Sequence, residues 1–269
     1  FFRLVLLHED MHHEAALYMA RALGFAADDD PRWQPTRLPD PPPSPLTFDA
    51  GRWRLGSVPG EGFAFDNELP AHEVDVGPTS IDAQVVRWEE YLPFVESGAW
   101  AQERWWSDAG LAWRAARGSS DGAPKYLRRA GANTWENWRD GRWQRLRRDE
   151  AACHLSWHEA QAWCRWAGRR LPTEAEWERA ALSRPDTFRW GDVWEWTASA
   201  FAPFPGFEAH PYRDYSAPWF DGRPVLRGAS FMTQARMRDA RYRNFFPADR
   251  DDVAVGFRSC AHPRAEPLT

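Results

Sequence analysis

Proline crowding between residues 26 and 46 limits how this chain can fold more than any other feature. The prolines of this stretch are Pro31, Pro35, Pro39, Pro41, Pro42, Pro43 and Pro45. Proline fixes its own φ angle and has no amide hydrogen, so a stretch this dense forms neither an α-helix nor a central strand. We therefore predict an extended connector over residues 26–46 that separates residues 1–25 from residues 47–263.

The segment before the connector is typical of a single helix that ends at Gly24. His8 and His12 stand four positions apart, so on a helix their imidazole rings share one face and can bind one divalent metal ion. The stripe that contains both histidines also holds Phe1, Val5, Met19 and Leu23. This apolar stripe predicts that the histidine face is the buried one.

Two other interpretations of the histidine pair stay open. His8-Glu9-x-x-His12 also satisfies the H-E-x-x-H pattern of zinc peptidases, in which the glutamate acts as general base. No H-x-x-G-x-x-H continuation follows to supply a third ligand. A histidine on an apolar helix can also be an ordinary core residue that binds no metal.

Charge and cysteine usage exclude several classes of function. The 269-residue chain has a formal net charge of −5, and Lys125 is its only lysine, which gives no basic run for nucleic acid or a membrane surface. Cys153, Cys164 and Cys260 are too few and too scattered for a disulfide scaffold or a cysteine zinc site. We see no signal peptide and no apolar run long enough to span a bilayer, and expect a cytoplasmic location.

Residues 47–263 predict an α+β domain rich in loops. Short alternating stretches, such as 52–55, 72–76 and 225–227, are broken by glycine, proline, asparagine and aspartate. Helical windows fall at 86–96, 156–167 and 173–181. The second and third open with capping boxes, Ser156 with Glu159 and Thr173 with Glu176.

A series of motifs follows in order along this region. They are F-D-N-E-L-P-A-H at 65–72, I-D at 81–82, L-S-W-H-E-A-Q-A-W-C at 155–164, G-R-R-L-P-T-E-A-E-W-E at 168–178, V-W-E-W-T at 193–197, V-L-R-G-A-S at 225–230 and G-F-R at 256–258. Together they closely resemble the formylglycine-generating-enzyme-like fold, a variant of the C-type lectin fold. The copper-dependent enzymes of that fold use a cysteine pair just after an R-G-G-S motif. Here Thr233 stands near the first of these positions and no cysteine lies between Gly228 and Ser259, so we expect no copper site.

The first segment matches a second family feature. His8, His12 and Glu14 fit the H-x-x-x-H-x-E motif of DinB-type helical bundles that are fused to this fold. The chain thus resembles the ergothioneine-type sulfoxide synthases and the selenoneine synthases, non-haem iron enzymes that use O2 to join sulfur or selenium to the imidazole of hercynine, trimethylated histidine. The resemblance implies that residues 1–25 are the C-terminal part of the bundle, that Fe(II) is the cofactor, and that hercynine, O2 and a selenosugar or thiol donor are the partners. A non-catalytic lectin-like binding module remains an alternative.

The resemblance also implies parts that this sequence lacks. The family's iron has three histidine ligands, the first from an earlier helix, so His8 and His12 supply two and we expect the third upstream of Phe1. The start at Phe1, without a capping residue, also predicts further chain upstream. Relatives carry a longer loop before V-W-E-W, and we expect residues to be absent between Gly191 and Asp192. Whether calcium binds in the loops is left open.

The resemblance assigns substrate contacts to residues 241–247. Asn244 is expected to bind the carboxylate of hercynine, while Phe245 and Phe246 offer ring faces to its trimethylammonium group. The alternative is that both rings belong to the core and that Arg243 pairs with an acid.

A phenol near the metal is the other implied requirement. Tyr212 matches the family's catalytic tyrosine best, and Tyr215 is expected to contact substrate, although both can equally be surface loop residues. Glu14 is expected to orient a ligand or hold a substrate group. Met11 replaces a glutamine that is common in the sulfur enzymes, and its soft sulfur favours selenium as the chalcogen, with the donor left open.

Overall fold

Short strands joined by long loops make up most of this chain, as predicted for an α+β domain. The computed structural model describes residues 1–25, 31–117 and 122–263. The helices within these ranges are α1 (Phe2–Ala22), α2 (Trp88–Glu96), α3 (Asp108–Ala116), α4 (Trp157–Trp166) and α5 (Glu174–Ser183). The strands are β1 (Leu46–Phe48), β2 (Gly51–Leu55), β3 (His72–Val76), β4 (Thr79–Ile81), β5 (Leu127–Gly131), β6 (Thr134–Arg139), β7 (Arg142–Arg145), β8 (Arg169–Arg170), β9 (Trp194–Ala200), β10 (Pro224–Gly228), β11 (Asn244–Phe245), β12 (Val255–Gly256) and β13 (Cys260–Ala261).

Local capping chemistry sets the starts of α4 and α5. The Ser156 side chain accepts a hydrogen bond from the Glu159 amide at 3.3 Å, and the Glu159 carboxylate accepts one from the Ser156 amide at 2.8 Å. Thr173 and Glu176 repeat the arrangement in α5, which confirms both predicted capping boxes. Helix α2 begins at Trp88, later than predicted, because the backbone of Arg87 is still extended.

Helix α3 and the hairpins β5–β7 were not predicted. Their sequences are rich in tryptophan and arginine, which gives neither a clear helical nor a clear strand period. In the fold, Trp135 is buried among the core side chains, whereas most of this three-stranded sheet stays partly exposed.

Two four-stranded sheets carry the domain, with strand orders β1-β4-β13-β8 and β11-β10-β9-β12. In the second, β9 and β10 are antiparallel, and β11 pairs with β10 so that Phe245 lies opposite Val225. This sheet matters for the site because its edge strand β11 brings Asn244 and Phe245 to face helix α1 across a cavity.

Buried ion pairs explain why the motifs hold the fold together. Arg258 donates to Glu195 at 2.5 and 2.8 Å, and both side chains are fully buried. Arg243 donates to Glu174 at 2.8 and 3.0 Å, and Arg227 pairs with Glu178 in the same core. A buried charge is tolerated only when it is paired and hydrogen-bonded, so removing one partner of such a pair is strongly destabilising.

The connector keeps close to the domain. Pro31–Trp33 form a short 3-10 helix that the prediction did not include, whereas residues 34–45 contain no α-helix and no strand of a sheet, as expected for extended chain. Residues 26–30 lie outside the described residues. Leu38 is buried and its amide donates to the Asp149 carbonyl at 2.8 Å, and Thr36 donates to Asp192 at 2.6 Å. The described part of the connector is therefore anchored to the domain at Thr36 and Leu38.

Helix α1 packs through a different face from the one predicted. Its buried residues are Asp10, Glu14 and Arg21, whereas Phe1 is 91% and Leu23 74% exposed. The predicted burial of the apolar stripe is thus wrong. The helix docks by charged side chains that find partners on the domain and by Leu7, Met11 and Tyr18, which pack against its core. The charged partners lie far along the chain, where no local pattern reveals them. None of the described helices combines the length and apolarity needed to cross a bilayer.

Candidate active site

His8 and His12 open from α1 onto a cavity of about 250 Å³ between this helix and the domain. Their ring centroids are 4.5 Å apart and the rings are nearly perpendicular. With the Glu9 carboxylate, their ligand atoms all lie within 4.8 Å of one another. Ligands that share one ion at about 2.1 Å stand about 3–4 Å apart, so small side-chain movements suffice for all three to bind a divalent metal. The residues present therefore fit a metal ion.

The opposite wall brings together most of the substrate residues that the sequence predicted. Tyr215, Asn244, Phe245 and Phe246 all line the same cavity as the two histidines. Helix α1 adds Glu14 to the lining. Residues more than 200 positions apart in the sequence thus face one another across a single space.

The Asn244 amide has a defined orientation. Its side-chain carbonyl accepts a hydrogen bond from the Phe245 backbone amide at 2.8 Å. The NH2 group has no partner among the described residues, so it is available to donate. A free amide donor at the cavity wall suits an anionic group such as a carboxylate.

The two phenylalanine rings are half-buried at the cavity, and each has one face covered. Phe245 stacks on Phe201 with ring centroids 4.1 Å apart, and the guanidinium of Arg250 lies 4.9 Å above the Phe246 ring. Arg243 pairs with Glu174, as expected if this segment serves the core. That part of the alternative interpretation concerns the arginine and not the two rings. The rings can therefore receive a cation only on their remaining faces.

The two tyrosines of the 212–215 loop have different surroundings. Tyr212 is 42% exposed and meets the His8 ring edge-on at 5.7 Å, although it does not line the cavity. Tyr215 lines the cavity and places its hydroxyl 3.1 Å from that of Tyr242. Burial raises the pKa of the Tyr215 phenol well above its usual range, and nearby Tyr242 adds to the effect. Both phenols are thus close to the histidine pair, one beside it and one across from it.

Glu14 attaches the metal helix to the domain. Its carboxylate accepts hydrogen bonds from Trp194 at 2.7 Å, from Ser230 at 2.6 Å and from Thr233 at 2.9 Å. Burial raises the pKa of Glu14, and the three donors oppose that shift. Since both oxygens are engaged, the substrate-holding role expected for Glu14 stays a prediction. Thr233, near where copper enzymes carry a cysteine, here serves as one of its donors.

Sequence reasoning missed several lining residues. Trp194, Met237, Tyr242 and Tyr18 also border the cavity. Trp194 belongs to the V-W-E-W motif, which was attributed to the fold, and Tyr242 belongs to the segment assigned to substrate contacts, in which it received no role of its own. Their place in an already quoted motif was the only available signal.

Comparisons with known proteins agree with this architecture. Residues 34–191 match the sulfatase-modifying factor enzyme 1-like domain. The structure of PvdO from Pseudomonas aeruginosa superimposes with a TM-score of 0.54 at 14% identity, covering 84% of this chain and 97% of that chain, which shows a shared fold.

Two relatives extend over nearly the whole chain. The hercynine oxygenase of Mycolicibacterium thermoresistibile is 32% identical over 310 aligned positions, covering 96% of this chain and 68% of its own length. That of Mycolicibacterium smegmatis is 31% identical, covering 96% of this chain and 70% of its own. The first alignment is longer than this 269-residue chain, so the relative carries insertions. The chain therefore belongs to the hercynine oxygenase family, and its larger part is the α+β sulfatase-modifying-factor-like domain.

Proposed function

We propose that this protein uses Fe(II) and O2 to form a bond between a chalcogen and the imidazole carbon of hercynine, in the cavity between α1 and β11. One observation carries the proposal: the metal-binding pair His8 and His12 shares a single cavity with Asn244 and Phe246. The name of the relatives, hercynine oxygenase, supports hercynine as the acceptor. The proposal includes a bundle remnant at 1–25, a connector at 26–46 and a catalytic domain at 47–263.

His8 and His12 would hold the iron. When bound, iron supplies the binding and activation of O2 and a coordination site for the soft chalcogen. Glu9 is the third donor that the described residues offer, and the family implies a third histidine. A zinc peptidase would need Glu9 as general base and a further ligand, which the described residues do not provide, so that alternative is disfavoured.

The chain's own residues orient the acceptor. The free NH2 group of Asn244 donates to the carboxylate of hercynine, and the open ring faces of Phe245 and Phe246 receive its trimethylammonium group. Both groups are on the α-carbon of hercynine, so these two contacts hold one end of the molecule and leave its imidazole end to face His8 and His12. The phenol of Tyr212, beside His8, is then in reach of the reacting groups and can hold or release a proton there.

Metal retention tests the central part of the proposal. We expect His8→Ala and His12→Ala to lose iron from anaerobically purified protein, because each removes one of two converging imidazoles. His13→Ala is the matched control, since His13 is on the same helix but packs against Trp33 at 4.8 Å. Stoichiometric iron in the His8 and His12 variants would contradict the proposal, whereas a folded domain without iron supports it.

We propose selenium as the preferred chalcogen. A selenol is more acidic than a thiol, so it is deprotonated at neutral pH without help from a base. The chain from Tyr212 to Phe246 contains no histidine or lysine to act as that base, and Met11 lines the cavity with a soft sulfur in place of a polar amide.

Donor competition separates selenium from sulfur. With hercynine and air, equimolar selenosugar and thiol donors should give mainly the selenium adduct. The same mixture without hercynine controls for direct oxidation of the donors. A product dominated by the sulfur adduct would instead make this an ergothioneine-type sulfoxide synthase.

A further inference from the structure

We propose that Tyr215, Tyr242 and Glu68 form a proton path from the catalytic cavity to a second cavity behind Tyr242. The path rests on the proposed function, because it serves the reaction in the first cavity. It assigns a role to Tyr242 and Glu68, for which metal and acceptor binding have no use, and a second role to Tyr215.

The geometry of two adjoining cavities carries the proposal. Tyr215 and Tyr242 both line the catalytic cavity, and their hydroxyl oxygens are 3.1 Å apart. Tyr242 and Met237 also line a second cavity of about 330 Å³, where Glu68 and Asp239 form part of the wall. The charged side chains of Glu68, Asp239 and Arg236 in its wall can hold water in a space of this size, so a proton that reaches Glu68 can continue to solvent.

Aromatic packing isolates the hydroxyl pair. Phe65 stacks on Tyr215 with centroids 4.5 Å apart and meets Tyr242 edge-on at 5.5 Å. Buried phenols normally find a hydrogen-bond partner, and here each hydroxyl has the other. Burial raises the pKa of both phenols, so they stay protonated and can pass a proton by exchanging their hydrogen bond.

Glu68 has the properties of a terminal proton acceptor. Its side chain is buried, and burial followed by the nearby charge of Asp239 raises its pKa well above the usual range. Arg227 and Arg243 are the cations that act on it in the opposite direction. When it is ionised, its negative charge acts on both Tyr215 and Tyr242, so the three groups are electrostatically linked.

The proposed reaction creates the need for such a path. Counted from the protonated donor, bond formation takes one hydrogen from the chalcogen and one from the imidazole carbon, while O2 leaves one oxygen on the chalcogen and one in water. The two hydrogens end in that water, so no external reductant is needed and the net proton count is zero. A proton released before the water forms must nevertheless be held and returned, and the path allows this within the buried wall of the cavity.

Two substitutions test the path in the iron-loaded natural protein. Tyr242→Phe removes the linking hydroxyl but keeps the ring, and Glu68→Gln removes the acceptor with nearly the same shape. We expect Tyr242→Phe to lower kcat by about tenfold or more and to change the solvent deuterium isotope effect. Glu68→Gln should remove one limb of the pH dependence of kcat. Tyr91→Phe, at a fully buried tyrosine of α2 that lines neither cavity, is the matched control.

Hercynine binding, which does not depend on turnover, distinguishes a variant with a damaged structure from one that has lost only the proton path. Calorimetry on the metal-free proteins should show hercynine affinity in both variants within about twofold of the unsubstituted protein, since Glu68 does not line the catalytic cavity and Tyr242→Phe keeps the ring that borders it. Normal kcat, isotope effect and pH profile in both variants would overturn the path and leave the proposed function intact. No turnover of the unsubstituted protein with any donor would overturn both.

Discussion

At the scale of single residues, the acceptor site is narrower than an open aromatic cage. Arg250 already occupies one face of Phe246, and Phe201 covers one face of Phe245. A trimethylammonium group must use the remaining faces and approach the guanidinium of Arg250. Arg250 is also bound to Asp252 at 2.5 and 3.0 Å, which offsets that repulsion. Discrimination between hercynine and histidine therefore depends on the ring of Phe246 more than on the charges of Arg250 and Asp252.

Replacing Phe246 tests this dependence. We expect Phe246→Ala to weaken hercynine binding more than histidine binding, by about 1 kcal/mol or more, because only hercynine presents a quaternary ammonium to the ring. Calorimetric titration with both ligands measures the difference. Phe207→Ala, at a half-buried phenylalanine outside the cavity, serves as control. Equal losses for the two ligands would rule out the ring as the basis of selectivity.

At the scale of elements, helix α1 is held to the domain by polar contacts. Arg236 donates to Asp10 through two hydrogen bonds of 2.6 Å, and Glu14 accepts three bonds one turn further on. Near the end of the helix, Arg21 lies 3.7 Å from Asp140. Since His8 and His12 lie between or beside these anchors, their position relative to β11 depends on the anchors.

Removing the central anchor should loosen the metal site. Glu14→Ala leaves the Trp194, Ser230 and Thr233 donors without their acceptor, and hydrogen bonds to a charged group are worth about 1.5–3 kcal/mol. We expect faster hydrogen exchange along α1 and weaker iron binding, with Glu14→Gln affected less because it keeps one acceptor oxygen. Met19→Ala on the exposed face of α1 is the control. Unchanged exchange in Glu14→Ala would show that the other anchors suffice.

At the scale of the whole molecule, buried titratable groups couple stability to pH. His154 is buried with a positive φ of 62°, and its ring nitrogen lies 3.4 Å from the Arg21 guanidinium. Burial, reinforced by Arg21, lowers the pKa of His154 from 6.5 to about 3. Burial acts on Glu159 in the opposite sense and raises its pKa from 4.5 to about 7.

The sign of the His154 effect follows from proton binding. Between pH 6.5 and pH 3 the unfolded imidazole takes up a proton that the folded one does not, so the contribution of His154 makes the protein less stable as the pH falls. Glu159 binds its proton more tightly when folded, so its own contribution favours the fold as the pH falls from 7 towards 4.5. Comparing a His154 variant with the unsubstituted protein isolates the contribution of His154 to the pH dependence of stability.

We therefore expect His154→Asn to reduce the loss of unfolding free energy on acidification by at most about 1.4 kcal/mol per pH unit. Asparagine tolerates the positive φ and carries no titrating group. Denaturant unfolding at several pH values below 6.5 measures the slope, with His13→Asn as control. An identical slope in His154→Asn and in the unsubstituted protein would contradict the assignment.

The sequence by itself determined the features that depend on near neighbours. The i, i+4 spacing of His8 and His12 needs only a helix, and the capping box of Ser156 and Glu159 spans one turn. The order of the motifs was enough to identify the α+β fold and the family. The helical spacing and the capping boxes were predicted correctly because their physical causes lie within a few residues of chain.

The tertiary structure alone decided how the helix meets the domain. The apolar stripe predicted the wrong buried face, because Asp10 finds Arg236 and Glu14 finds Trp194 at separations of 226 and 180 residues. Tertiary packing also joins Tyr215 to Tyr242, which no period or motif in the sequence encodes. Which charged groups of the helix are buried depends on where their distant partners lie, and the partners come close to the helix only after the chain has folded.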